Sequence, residues 1–306
     1  MEVRPKKSLG QHFLTDQSIA RAIVDSLSPS SRILEVGPGM GVLTQYLLQR
    51  GTAPSRLEVP AGGTKRGKSS ALPEPSQRSG PILKVVEIDS ESVVYLREHY
   101  PALGPGLLEA DFLKLPLDKI FAEPFSVIGN FPYNISSQIF FHILDYRDLV
   151  PEVVCMIQKE VAERLAAGPG SKVYGILSVL LQIWYDIEYR FTVGEGASVP
   201  PPKVKSAVIR LTRNARTDAG CDEALLRRIV KATFNQRRKT IRNGLRSIGI
   251  TASPSMSAAP TASAVSSGPP DGSEPALPFL DARPEQLSVE DFITLTRAVE
   301  SCKAKK

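Results

Sequence analysis

The sequence predicts a doubly wound α/β domain followed by a small helical one, and three observations carry the prediction. Short β-branched runs alternate with helical patterns from residue 32 to about residue 167, a glycine-rich turn joins the first run to the first helix, and beyond Asp222 only helical periodicity remains. The chain has 306 residues, of which 42% are hydrophobic. That is enough for one large or two modest domains with a buried core. The domains are placed at 1–213 and 214–306.

Residues 32–36 read as the first strand, because a β-branched and apolar run ends at the glycine turn; a helix follows over 42–49. Residues 82–88 form a second strand and 90–99 its helix, which completes a βαβ unit. Residues 107–110 and 126–129 give further strands, each followed by a polar residue, and 136–144 continues as a helix. A strand at 153–157 leads into a helix at 159–167. A helix at 174–184 then precedes 186–193 and 206–211, two strands suited to pairing as an antiparallel edge. The last helices are placed at 223–234, 237–247 and 289–300.

Two stretches interrupt this order. Residues 52–81 contain 5 Pro, 4 Gly and 5 Ser, and residues 251–278 contain 6 Pro, 7 Ser and 6 Ala. Neither has apolar periodicity, so neither buries enough surface to offset the entropy of ordering, and they read as a low-complexity insertion and a linker.

Composition narrows the class of protein. The longest apolar run, 176–184, is broken by Ser178 and Gln182 and falls short of the roughly 18–20 residues of a membrane helix. The N-terminal residues lack the apolar stretch of a signal peptide, so a cytoplasmic, membrane-free protein is expected. Cys155, Cys221 and Cys302 are far apart and form no Cys-x-x-Cys pair, which argues against a disulfide framework and against a metal site.

The net charge of +6 is a sum of unlike parts. From Lys203 to Arg246 there are 13 Lys+Arg and 3 Asp+Glu, a local excess of +10 that leaves −4 for the rest of the chain. Such a block suits contact with a polyanion, although a solvated helix face has the same composition. Arg238, Arg242 and Arg246 recur at helical spacing, with Ile241, Leu245 and Ile248 opposite them. With Lys203, Lys205, Arg237 and Lys239 they form the candidate phosphate-binding set.

The candidate small-molecule site starts at Gly37, Gly39 and Gly41, in a strand-to-helix turn where the backbone must approach a ligand closely. The third glycine falls one place too early for a dinucleotide fingerprint, which disfavours NAD. An acidic residue is expected about 20 residues on, at the end of the next strand, to accept from ribose hydroxyls. Glu87 lies 46 residues after Gly41, and excising the insertion leaves 16. Asp111 follows the third strand and suits either an adenine amino group or the cap of a helix.

Asn130-Phe131-Pro132-Tyr133 closes the fourth strand. The exocyclic amine of adenine is a poor nucleophile, because its lone pair is delocalised into the ring. A side-chain carbonyl on Asn130 and the main-chain carbonyl of Pro132 each suit one amine hydrogen, which lets the nitrogen pyramidalise and stabilises its developing charge. Tyr133 offers a flat face for a base that has left its helix.

These residues, with the run from Ser8 to Leu14, residues 35–44 and 86–89, Asp111, residues 130–137, Pro200 to Val204 and Phe234 to Thr240, resemble the rRNA adenine N6,N6-dimethyltransferases, most nearly their bacterial small-subunit (16S) branch. The resemblance covers residues 5–249 and 282–300. It implies a Rossmann-like S-adenosylmethionine-dependent methyltransferase sheet with a small C-terminal helical domain, and dimethylation of two adjacent adenosines near the 3′ end of small-subunit rRNA during ribosome biogenesis. The implied partner is the rRNA of a pre-30S particle, and the implied state is a monomer without metal. It also implies that His12, Leu14, Gly37, Gly39, Gly41, Glu87, Asp111 and Asn130 bind the cofactor, while Asn130, Pro132 and Tyr133 serve catalysis. Two departures stand out: position 131 is Phe where Leu is commoner, and Ser198 replaces a Phe that would wall the target base. A non-catalytic RNA-binding assembly or transcription factor on the same scaffold is the alternative from another class. A large-subunit rRNA or DNA adenine methylase is the alternative among enzymes.

Overall fold

A computed structural model describes residues 3–50, 82–251 and 277–304. The stretches predicted as insertion and linker, 52–81 and 251–278, fall outside the described residues but for 251, 277 and 278.

In chain order the elements are β1 (Phe13–Leu14), α1 (Gln17–Asp25), β2 (Arg32–Val36), α2 (Thr44–Gln49), β3 (Ile82–Glu87), α3 (Ser90–His99), β4 (Leu107–Glu109) and α4 (Leu117–Ile120). They continue with β5 (Ser126–Asn130), α5 (Ser136–Asp145), β6 (Glu152–Gln158), α6 (Lys159–Ala166), α7 (Ile176–Gln182), β7 (Tyr185–Val193), β8 (Ser198–Val199) and β9 (Ser206–Arg213). The last are α8 (Glu223–Asn235), α9 (Ile241–Ser247) and α10 (Val289–Ala304).

The main sheet has seven strands in the order β4-β3-β2-β5-β6-β9-β7. Parallel pairing runs from β4 through β6, and β9 returns antiparallel along β6. Buried on both faces, these strands read as near-continuous apolar runs. Ile33, Val85, Val127 and Val154 are fully buried, and each such side chain contributes roughly 1.5–3 kcal/mol relative to exposure. The edge predicted from 186–193 and 206–211 differs in one respect. β9 lies between β6 and β7, so the second of the two strands is internal and only the first is an edge.

Two features positioned here were not anticipated. Helix α1 starts at Asp16, whose carboxylate accepts from the amides of Ser18 (2.9 Å) and Ile19 (3.2 Å), a cap worth about 1 kcal/mol. It buries Ala20, Ile23 and Val24 in one cluster with Ile33, Leu43 and Val208. The two-residue strands β1 and β8 pair antiparallel, Phe13 with Val199 and Leu14 with Ser198.

The chain divides into two compact units, residues 1–159 with 189–212, and residues 160–188 with 213–306. The second unit therefore takes α6 and α7 from within the segment assigned to 1–213: α7 packs against α8 and α10, and α6 is tied to α7 by hydrogen bonds from Ser178 and Gln182 to the Arg164 and Leu165 carbonyls. Tyr174, Phe234 and Phe292 form its aromatic centre, with ring centroids 6.0 and 5.9 Å apart. Gly244 of α9 packs against the backbone of Thr233 in α8, where an added Cβ would meet the Thr233 Cα at 2.7 Å.

The helix predicted at 237–247 is corrected. The chain turns through 236–238, is extended at Thr240 (φ −75°, ψ 162°), and becomes helical only from Ile241. Arg238 is thus off the helix, and the three-arginine stripe does not exist as one helical face. Ile241 and Leu245 are buried as expected, whereas Ile248 is only half-buried.

Candidate active site

Strand order reverses at β2, which pairs with β3 on one side and β5 on the other. Helices leave on opposite faces from such a point, so a crevice opens at the carboxyl ends of the two strands. A pocket of ≈ 270 Å³ lies there, lined from the glycine turn, β3, β5 and the N-terminal segment.

Each glycine of the turn has its own reason. All three have positive φ, 65° at Gly37, 55° at Gly39 and 78° at Gly41. At Gly37 an added Cβ meets nothing nearer than the Asn130 carbonyl oxygen at 3.8 Å, and Gly37 lines the pocket. At Gly39 a Cβ would press on the Phe13 ring at 3.0 Å; at Gly41 it would lie 2.4 Å from the Tyr100 ring. Gly41 is outside the pocket lining, so its position serves the turn's packing.

Glu87 ends β3 and is 4% exposed. Its Oε2 accepts from the Gly39 amide (3.1 Å), and its Oε1 from the amides of Ile88 and Asp89 (3.0 Å each). The carboxylate thereby ties the glycine turn to the pocket floor. Burial raises its pKa, with the Asp89 charge adding, while the amides restrain the rise. Behind the turn Glu35 is wholly buried, and its Oε2 accepts from the Thr44 hydroxyl (2.7 Å) while Oε1 has no partner among the described residues. Burial pushes its pKa to about 8, opposed by the Thr44 hydrogen bond and assisted by the Glu87 charge. At Asp89, burial works against the charged form, but hydrogen bonds from Lys6 and Ser92 outweigh it and hold the pKa below the ordinary value.

Asp111 lines the pocket and also caps a short turn, its Oδ1 accepting from the Leu113 amide (3.0 Å). Both roles weighed for it from the sequence are compatible with this position. Asn130 ends β5 and donates from Nδ2 to the His12 carbonyl (2.9 Å). That hydrogen bond fixes the amide plane and leaves Oδ1 without a protein partner among the described residues. The Pro132 carbonyl accepts from the Ile135 amide (3.2 Å), which uses one of its two lone pairs. Tyr133 hydrogen-bonds Ser206 through its hydroxyl and stacks on His12, centroids 5.2 Å apart. Phe131 also lines the pocket and is fully buried, its ring edge-on to Phe140 with centroids 5.8 Å apart.

The N-terminal segment crosses the pocket. Lys6 pairs with Asp89 and Glu91, His12 bonds the Pro200 carbonyl through Nδ1 (2.8 Å), and the Thr15 amide bonds the Ala197 carbonyl (2.8 Å).

Of the predicted site residues, His12, Gly37, Gly39, Glu87, Asp111, Asn130, Pro132 and Tyr133 come together around this pocket. Leu14 does not; it is buried in the core cluster beside Ile23 and Ile33. Sequence reasoning missed Phe13, Ile88, Phe112 and Ile139 in the lining and Glu35 behind it. Ser198, the departure noted above, is a buried strand residue of β8 paired to Leu14.

The basic set divides between the units: Lys203 and Lys205 lie in the first and Arg237, Arg238, Lys239, Arg242 and Arg246 in the second. Part of the local +10 is internal to the fold. Arg210 pairs with Glu152, Arg216 with Glu290 and Arg242 with Asp281, and Arg237 bonds the Ser171 carbonyl. Lys203, Lys205, Arg238, Lys239 and Arg246 are exposed, with no ion pair among the described residues. Among the described residues no helix is long and apolar enough to cross a membrane, and no three His, Cys, Asp or Glu side chains are grouped to hold a metal ion.

The pocket fits a nucleoside-bearing methyl donor: a glycine whose missing Cβ leaves room, a buried carboxylate at the end of the neighbouring strand, and a polar residue on the third. Fold and site together define an S-adenosylmethionine-dependent methyltransferase. The sequence matches the family described as ribosomal RNA adenine dimethylase over residues 3–59 and 82–259, and the chain belongs to that family. The ribosomal RNA small subunit methyltransferase A of Phocaeicola vulgatus is 52% identical over 302 residues, 98% of this chain and 91% of that protein. The protein of the same name from Porphyromonas gingivalis is 47% identical, covering 97% of this chain and 98% of its own. Among solved structures, a dimethyladenosine transferase from Plasmodium falciparum aligns with TM-score 0.64 at 20% identity, over 93% of this chain and 96% of that one. The 23S rRNA methyltransferase ErmE aligns with TM-score 0.56 at 22% identity, over 94% and 99%. At these identities the structural likeness concerns the fold.

Proposed function

We propose that this chain methylates the N6 amine of two adjacent adenosines near the 3′ end of small-subunit rRNA, giving N6,N6-dimethyladenosine, and that it acts as a cytoplasmic monomer on a pre-30S particle. The observation that carries the reading is Asn130, held by Nδ2 on the His12 carbonyl (2.9 Å) with its Oδ1 left for a substrate donor, next to the Pro132 carbonyl and the Tyr133 ring. Two acceptors aimed at an amine favour the pyramidal nitrogen of the transition state over the flat nitrogen of the ground state. Tyr133 orients the base by stacking, and the Ser206 hydrogen bond fixes the ring. The cofactor, when bound, supplies an electrophilic methyl group; Gly37, Glu87 and Asp111 hold it at the strand ends. The names of the relatives that are about half identical over nearly their full length favour the small subunit. Lys203, Lys205, Arg238, Lys239 and Arg246 are the exposed cations suited to RNA phosphates.

The test is incubation with labelled S-adenosylmethionine and immature small subunits lacking the modification. Label in dimethyladenosine at two neighbouring positions is expected. No label there, or preferential label in large-subunit rRNA supplied as a competitor, refutes the reading.

A further inference from the structure

A second pocket, of ≈ 730 Å³, adjoins the first and lies wholly within the first unit. Gly10, Gln11, His12, Tyr133 and Asn134 line both, so the stacked His12 and Tyr133 rings form part of the partition between them. The far side has no known role in cofactor binding. Its wall carries Lys7 and Lys203, both exposed and without an ion pair among the described residues, and no carboxylate. Pro200, Pro201 and Pro202 supply rigid apolar faces. Gln158, the last residue of β6, places a side-chain amide there that has no hydrogen-bond partner among the described residues. The volume is in the range of roughly 300–1,000 Å³ typical of small-ligand sites.

Cations, flat apolar faces and one unpaired amide suit a nucleotide: an anionic phosphate, a stacking surface and a base edge. A free mononucleotide has the same chemistry, but continuity with the first pocket favours a nucleotide joined to the target. A strand whose target base passes Tyr133 toward Asn130 must lead its neighbour along the other side of the partition. We propose that the second pocket receives the nucleotide adjoining the target adenosine, with its phosphates on Lys7 and Lys203 and its base edge on Gln158. This rests on the RNA substrate proposed above. With two adjacent adenosines to be modified, one waits in the second pocket while the other reacts.

The test is a binding cycle with a short RNA carrying two adjacent adenosines and analogues in which one or the other neighbour of the target is abasic, measured by fluorescence anisotropy with saturating S-adenosylhomocysteine. Gln158→Leu is expected to weaken the intact RNA about tenfold, the size of one lost bidentate base contact, and to leave one abasic analogue unchanged. Lys203→Ala is expected to weaken intact and abasic RNA alike and to lower the salt slope by about 0.7. Equal losses from Gln158→Leu on all the RNAs, or competition by adenosine monophosphate as tight as the RNA itself, would overturn the assignment. Methyl transfer by the unaltered protein is scored in parallel. Transfer without coupling in the cycle defeats this inference alone, whereas no transfer to any adenosine defeats the reaction and leaves the binding cycle to decide the pocket.

Discussion

Replacing Glu35 by Gln should change how stability depends on pH, and the structure fixes the direction. The folded chain keeps a proton on Glu35 up to about pH 8, whereas an unfolded carboxyl releases it near pH 4.5. The stability that the neutral Glu35 contributes is therefore fully present below 4.5, falls as pH rises from there, and is lost once pH passes about 8. The slope is about 1.4 kcal/mol per pH unit at most, and the total loss about 5 kcal/mol as an upper bound, since the buried site relaxes when it ionises. That is comparable with the roughly 5–15 kcal/mol of a whole domain. Glutamine keeps an oxygen for the Thr44 hydroxyl and carries no ionisable group, so the variant should lose this slope whatever its absolute stability. Urea denaturation at pH 5.5, 6.5 and 7.5 reads the difference as a shift of midpoint at constant m-value. Parallel pH profiles for the two proteins would refute a neutral, buried Glu35.

Three further outcomes are expected. Asn130→Ala should reduce kcat about 10²–10³-fold, the usual effect of deleting one transition-state hydrogen bond, with cofactor affinity measured calorimetrically changing far less; unchanged turnover would remove Asn130 from the chemistry. Gly37→Ala and Gly41→Ala both place a side chain at positive φ, at roughly 1–2 kcal/mol each. Only the second also drives a methyl into the Tyr100 ring, so thermal unfolding should separate them, with Gly41→Ala the less stable and Gly37→Ala the weaker binder of S-adenosylmethionine. Replacing Arg238, Lys239 and Arg246 together by Gln should lower the salt slope of RNA binding by about 2–3, whereas Arg242→Gln, which loses its pair with Asp281, should change it little.

The parallel sheet was legible because its strands are short apolar runs, each ending where a turn residue or polar side chain must appear, and the residues at those ends are the site. The local signal failed where it was weak or ambiguous. Helix α1 is announced only by Asp16 and by Ile19, Ala20, Ile23 and Val24, a nine-residue pattern beside a strongly polar start. Charge periodicity from Arg238 to Arg246 continues past a real helix start, because spacing does not register the extended backbone at Thr240. Leu14 and Gly41 follow motif neighbours that do face the pocket, and only packing against Ile33 and Tyr100 separates them. The tally of basic residues overstated free charge, since a sequence cannot show that Arg210 is held by Glu152 across two strands.

His12 has one further consequence for how the protein handles its two ligands. Its carbonyl holds Asn130, its ring holds Tyr133, and its Nδ1 is fastened to Pro200, so one residue belongs to the walls of both pockets. Any coupling between occupants of the two spaces has this shared residue as its shortest route. Whatever factor a bound methyl donor exerts on RNA affinity by settling this residue, RNA must exert on donor affinity in the same measure, because linkage between binding equilibria is reciprocal.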